Sequence, residues 1–145
     1  MPQLTVLSGL PGAGKSTIAR AELAKTGAVL VGRDELRTAM VGLKDEALIT
    51  LLLADLSLSL LLAGHDVVVD AWNLHPDDRA RFEALAEEAA AEMRWLHVPT
   101  PVDVCVERDA QRPNANGEER VREAAAMYVD GLVALGRRER QALNS

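Results

Sequence analysis

Short apolar runs alternate with longer amphipathic stretches along the whole chain. Leu4–Leu7, Ala28–Val31, Asp66–Val69 and Arg94–Val98 have the length and composition of strands, the first three with the near-continuous apolar character of buried ones. Between them the apolar positions recur every three to four residues, which predicts helices. These span Lys15–Thr26, stopped at Gly27, Arg33–Val41, ending near Gly42, and Glu46–Ala63, ended by Gly64. Further on come Pro76–Ala91, opening on a proline that a first turn tolerates, and Val102–Arg112, halted before Pro113. The last is Glu118–Leu143, with Val121, Ala124, Ala125, Tyr128, Leu132 and Leu135 on one stripe and Gly131 and Gly136 weakening its later part. Leu56-Ser57-Leu58-Ser59-Leu60 alternates like a strand and competes with the helical reading there.

Strand–helix alternation of this kind predicts an α/β fold, a parallel sheet with helices on both faces. No repeat, low-complexity block or linker interrupts it, so residues 1–145 are expected to form one domain. In such sheets ligands bind outside the carboxyl ends of the strands. The polar residues in those places are Gly9–Thr17, Arg33–Arg37, Asp70–His75 and the segment after Pro99.

Composition narrows the class. The 145 residues are 48% apolar and 26% charged, ordinary for a soluble domain that needs no disulfide or metal staple. Cys105 is alone, which excludes a disulfide framework, and it is expected in the core. His65, His75 and His97 lack ligand spacing and are expected on surfaces or loops. The most membrane-like stretch, Ala47–Ala63, has Asp55 at its middle and is read as a core helix; a central charge costs about 3 kcal/mol in a membrane. No secretory signal pattern opens the chain, so a cytoplasmic location without membrane partners is expected. Net charge is −6, with the acidic excess in residues 1–93 and balanced charge beyond. Any contact with a polyanion is therefore expected to be local and short.

The chemistry is carried first by Gly9-Leu10-Pro11-Gly12-Ala13-Gly14-Lys15-Ser16, which fits the phosphate-binding loop G-x-x-x-x-G-K-[ST] between a strand and a helix start. Gly9, Gly12, Ala13 and Gly14 let successive backbone N–H groups turn inward, and the helix that begins at Lys15 adds its positive end. Lys15 then reaches the β- and γ-phosphates, Ser16 offers a hydroxyl to Mg²⁺, and Thr17 stands behind. ATP or another nucleoside triphosphate with Mg²⁺ is the expected ligand. The loop–helix junction is expected to be exposed.

Three further clusters bear on what receives the phosphoryl group. In Arg33-Asp34-Glu35-Leu36-Arg37, Asp34 and Arg37 share a helix face. Asp34 could take the proton of an attacking hydroxyl and Arg37 hold an anion; the alternative is a helix cap and a surface charge. Asp70 ends the run Val67-Val68-Val69 as a Walker-B acid would, a metal ligand or a turn cap, with Asn73 close behind. Arg108 and Arg112 are four apart, before a loop of Pro113, Asn114, Asn116 and Gly117. They read as a lid that neutralises the transferring phosphoryl, or as a solvated face paired with Glu107 and Asp109. Arg120 and Arg122 read as solvated.

Taken in order, these pieces resemble the phage-type polynucleotide 5′-hydroxyl kinases and related small P-loop kinases, over roughly residues 3–130. The residues that carry the resemblance are the loop at 9–16, Arg33-Asp34-x-x-Arg37, Val68-Val69-Asp70-Ala71-x-Asn73-Leu74, and Glu107-Arg108-Asp109 with Arg112. The resemblance implies a helical lid and transfer of the γ-phosphate of ATP to the 5′-OH end of DNA or RNA, as in end healing. It implies Asp34 as general base, Arg37 on the acceptor's adjacent phosphate, and Arg112 with Arg108 on the donor phosphates. Asp70, Trp72 and Asn73 fall in the acceptor pocket. Relatives often carry Thr where Trp72 stands, and Trp72 could stack on the acceptor base or fill a gap. Two-domain relatives add a phosphatase, for which this chain is too short, so a stand-alone kinase is expected. A kinase of a small hydroxylated metabolite, nucleoside or antibiotic, and a nucleotide-binding switch, are the competing readings.

Overall fold

The computed structural model describes residues 1–72 and 75–134, with side chains as far as Ala126. Four strands, β1 (Gln3–Ser8), β2 (Val29–Gly32), β3 (Val67–Asp70) and β4 (Glu92–His97), pair in parallel in the order β2-β3-β1-β4. Among the described residues six helices accompany them: α1 (Lys15–Thr26), α2 (Arg33–Ala39), α3 (Glu46–Leu62), α4 (Pro76–Glu88), α5 (Val102–Ala110) and α6 (Glu118–Ala134). The expected α/β fold is therefore present. The stripe residues predicted beyond Ala126, and Gly136 and Leu143, lie outside the described side chains or residues.

The pleat divides the core. Leu4 and Val6 of β1 join Val67 and Val69 of β3 on one face, where Ile49, Leu53 and Leu61 of α3 and Phe82 and Leu85 of α4 cover them. Leu7 and Val68 point to the other face, against Ala19 and Leu23 of α1. The stretch 56–60 is helical, not extended. A buried face of Ile49, Leu53, Ser57 and Leu61 outweighs the local alternation, and the Ser57 hydroxyl is satisfied by donating to the Leu53 carbonyl at 2.6 Å. Among the described residues no helix is long and apolar enough to cross a membrane.

The strand order places the site. After β1 the chain leaves towards β2, and after β3 towards β4, so β1 and β3 are neighbours with connections running opposite ways. A crevice opens at such a reversal, outside the carboxyl ends. The loop after β1 and Asp70 at the end of β3 face each other across it. A third cluster, with Leu10 and Ala13 of the loop, Cys105 of α5 and Val121 and Ala124 of α6, seats the last two helices on the loop.

Candidate active site

The loop 9–14 curls through left-handed backbone at Gly12 (φ 80°) and Gly14 (φ 99°), which favours glycine. At Gly12 a Cβ would also collide with the Cys105 carbonyl and come within 3.2 Å of the Asp109 nitrogen, so α5 packs directly on the loop. Helix α1 starts at Lys15 with no side chain capping its first amides, which leaves them for an anion. Gly9 and Ala13 do not line the cavity. Gly9 donates its N–H to the Trp72 carbonyl at 3.1 Å, and a Cβ there would stand 3.1 Å from the Val98 carbonyl oxygen. Ala13 is buried, its carbonyl taken by the Thr100 hydroxyl at 2.6 Å.

Lys15 corrects the expectation of an exposed junction. Its side chain is buried, and its ammonium donates to the Leu10 carbonyl at 2.7 Å. Burial lowers its pKa from 10.5 to about 8, offset in part by Asp70. Ser16 and Thr17 are exposed. The Ser16 hydroxyl donates to Asp70 Oδ2 at 3.0 Å, joining the loop to the end of β3, while burial pushes the Asp70 carboxyl up.

Across the crevice Asp34 lies in the first turn of α2. The cap is Gly32, so Asp34 is not a helix cap. Its carboxylate accepts from Arg37 Nη1 at 2.9 Å and from Arg112 Nη2 at 3.5 Å. Glu46, at the start of α3, grips the other edge of Arg37 through Nε (3.1 Å) and Nη2 (2.7 Å) and also pairs with Arg33. Hydrogen bonds from Arg37 and then Arg33 lower the Glu46 pKa to about 2. Glu46 was not singled out from the sequence, because an acid at a helix start has a sufficient local reason.

The lid region differs from expectation in three ways. Helix α5 ends at Ala110, so Arg112 stands in the following turn and not on a shared helix face with Arg108; Pro113 disfavours helical backbone at the residue before it. Asp109 does pair with Arg112, at 3.9 Å, but not on a solvated face. It is buried and accepts from the Asn116 N–H (3.1 Å), Asn116 Nδ2 (3.0 Å) and the Gly117 N–H (2.9 Å), which knots the loop before α6. Burial alone would raise its pKa, and these bonds hold it below the ordinary range instead. Arg120 lines the cavity, whereas Arg122 pairs with Glu118 and Asp103 on the surface as expected.

One cavity of about 1020 Å³ brings together Gly12, Gly14, Lys15, Ser16, Thr17, Asp34, Arg37, Asp70, Trp72, Arg108 and Arg112, with Glu46 and Arg120 added. Asn73 lies outside the described residues. Cys105 is buried as expected. His65 is exposed and His75 caps α4, but His97 is a half-buried strand residue.

A match to the AAA domain family runs over residues 4–131. The chain belongs to this AAA domain family. Its fold also recurs in solved structures. A chain of the Pnkp1/Rnl/Hen1 RNA repair complex superposes on the AAA domain with a TM-score of 0.80 at 25% identity, over 93% of this chain and 46% of that one. The AAA domain thus spans about half of that longer chain. The APS kinase CysC of Mycobacterium tuberculosis, in complex with AMPPNP and APS, superposes with a TM-score of 0.62 at 26% identity, over 76% of this chain and 69% of that one. Kti12 of Chaetomium thermophilum, in complex with ADP-AlF3, shares the fold with a TM-score of 0.70 at 21% identity, over 86% and 79% of the two chains. No curated protein matches significantly. The AAA domain described here is a P-loop kinase-like domain.

Proposed function

We propose that this chain is a polynucleotide 5′-kinase, moving the γ-phosphate of ATP to the 5′-hydroxyl end of DNA or RNA. The observation that carries the reading is Asp34, held between Arg37 and Arg112 across one cavity from Lys15 and Ser16. A carboxylate beside a hydroxyl acceptor can take its proton, and a cation one step away can hold an acceptor phosphate. Likeness to a chain of an RNA repair complex points the same way.

The chain's residues then divide the work. The loop amides and the uncapped start of α1 bind the donor phosphates, and Lys15 exchanges the Leu10 carbonyl for their oxygens. The Ser16 hydroxyl and Asp70 carboxylate, already in contact, fit Mg²⁺ and would hold it, supplying positive charge beside the donor phosphates. Asp34 takes the hydroxyl proton as that oxygen bonds to the γ-phosphorus. The bond to the bridging oxygen breaks, and the nucleoside diphosphate leaves with the electron pair. Arg108, whose Nη1 lies 3.6 Å from where a Cβ on Gly14 would stand, and Arg112 offset charge on the transferring group. Arg37 orients the acceptor phosphate.

One observation favours a second reading, a kinase of a small acceptor. Arg33 and Arg37 are matched in charge by Asp34 and Glu46, which leaves the acceptor side nearly neutral. A single assay separates the two. With γ-labelled ATP and Mg²⁺, label is expected on a 5′-OH oligonucleotide; label confined to a nucleoside or a small alcohol would replace the first reading by the second.

A further inference from the structure

At the lid end of the cavity stands an aromatic face that phosphoryl transfer itself does not use. Trp72 is half-buried, lines the cavity, and packs against the cluster of Leu10, Val98, Cys105 and Val121. Its carbonyl is fixed by the Gly9 N–H, so the ring is anchored to the phosphate loop. Arg120, in the first turn of α6, is exposed and lines the same cavity. Its guanidinium carbon lies 5.9 Å from the Trp72 ring centroid, and among the described residues it makes no ion pair.

The spacing is informative because the molecule contains its own reference. Arg79 stands 4.1 Å from the ring centroid of Trp95, a direct cation–ring contact. A flat ring inserted between two planes needs about 7 Å, twice the ~3.5 Å contact distance. At Trp72 the guanidinium carbon stands 5.9 Å from the centroid against 4.1 Å at Trp95, a looser contact, and the exposed Arg120 side chain would have to swing outward to admit a ring between them. Every nucleobase presents a π-face that both an indole and a guanidinium accept.

We propose that Trp72 and Arg120 form the two walls of a nucleobase slot, opened slightly by the base that enters it. The inference rests on the reading of the cavity as a nucleotide-handling kinase site, but not on which acceptor it serves. The base belongs either to the donor or to the terminal nucleotide of the acceptor, and the slot chemistry is the same for both.

The chain has two tryptophans, so Trp95→Phe leaves Trp72 as the sole indole reporter. That variant is titrated with AMPPNP and Mg²⁺, with a nucleoside 3′-monophosphate, and with inorganic tripolyphosphate, which has no base. Emission is expected to be quenched by one of the two base-bearing ligands and not by tripolyphosphate; the ligand that quenches names the source of the base. Trp72→Leu and Arg120→Ala should each weaken that ligand relative to tripolyphosphate, by about ten- to a hundredfold for the tryptophan. If Trp95→Phe does not fold, the emission difference between the native chain and Trp72→Leu provides the same readout. Equal responses to tripolyphosphate and both nucleotides, or unaltered nucleotide affinity in both slot variants, would overturn the slot. Base-dependent quenching without transfer to any 5′-hydroxyl acceptor would instead overturn the polynucleotide kinase reading and leave the slot standing.

Discussion

Lys15 holds its charge under strain from its own burial. With a pKa of about 8, the ammonium is mostly protonated at pH 7 and mostly neutral by pH 9.5 in the ligand-free chain. Phosphate oxygens favour the protonated form, so above about pH 8 nucleotide binding must take up a proton. AMPPNP affinity is therefore expected to fall from pH 7.5 to 9.5, approaching tenfold per pH unit, in a calorimetric titration. A flat profile would show that Lys15 charge is not needed. For stability the sign is opposite. Between about 8 and 10.5 the unfolded chain holds more protons at this residue, so its contribution to stability rises with pH across that window. At Asp34, replacement by Asn keeps the shape and removes the proton acceptor. Turnover is expected to drop about 10²–10⁴-fold while AMPPNP binding persists; turnover within a few-fold of the native chain would leave Asp34 only a partner for Arg37 and Arg112.

Individual elements were legible to different degrees. The phosphate loop could be read from the chain because all its determinants are local: glycines at φ of 80° and 99°, a strand before and a helix after. The tie from Glu46 to Arg37 and Arg33 joins α3 to α2 through groups nine and thirteen residues apart, and nothing in helical spacing announces it. The burial of Asp109 was illegible for a related reason, since its place on the loop and its hold on Asn116 depend on how α5 docks. Docking also ranks the lid arginines, which spacing alone treats alike. Arg108 lies over Gly14, while Arg112 rests on Asp34. Arg108→Ala is therefore expected to lower turnover at least as much as Arg112→Ala, measured with saturating acceptor. Helix α3 supplies a control away from the chemistry. Leu61 is buried between helix and sheet and does not line the cavity, and Leu61→Ala should destabilise the fold by about 2–5 kcal/mol in urea unfolding.

For the whole molecule, electrostatics set how much polynucleotide can be held. Net charge is −6, and the acceptor side of the cavity is nearly neutral in its ligand-free arrangement. If one or two phosphates are gripped, the logarithm of the oligonucleotide KM should rise with that of salt concentration at a slope of about 0.7–1.4. A slope above about 3 would reveal an extended groove that the cavity does not provide.

The contact of Gly12 with α5 makes Cys105 a reporter of motion. The chain has one sulfhydryl, fully shielded behind the phosphate loop, and burial pushes its pKa up, so a thiol reagent meets neither surface nor thiolate while loop and helix stay together. The rate at which the native protein is alkylated then counts how often α5 lifts off the loop. Nucleotide held at once by the loop amides and by Arg108 of α5 should slow that clock, without any label having been engineered into the chain.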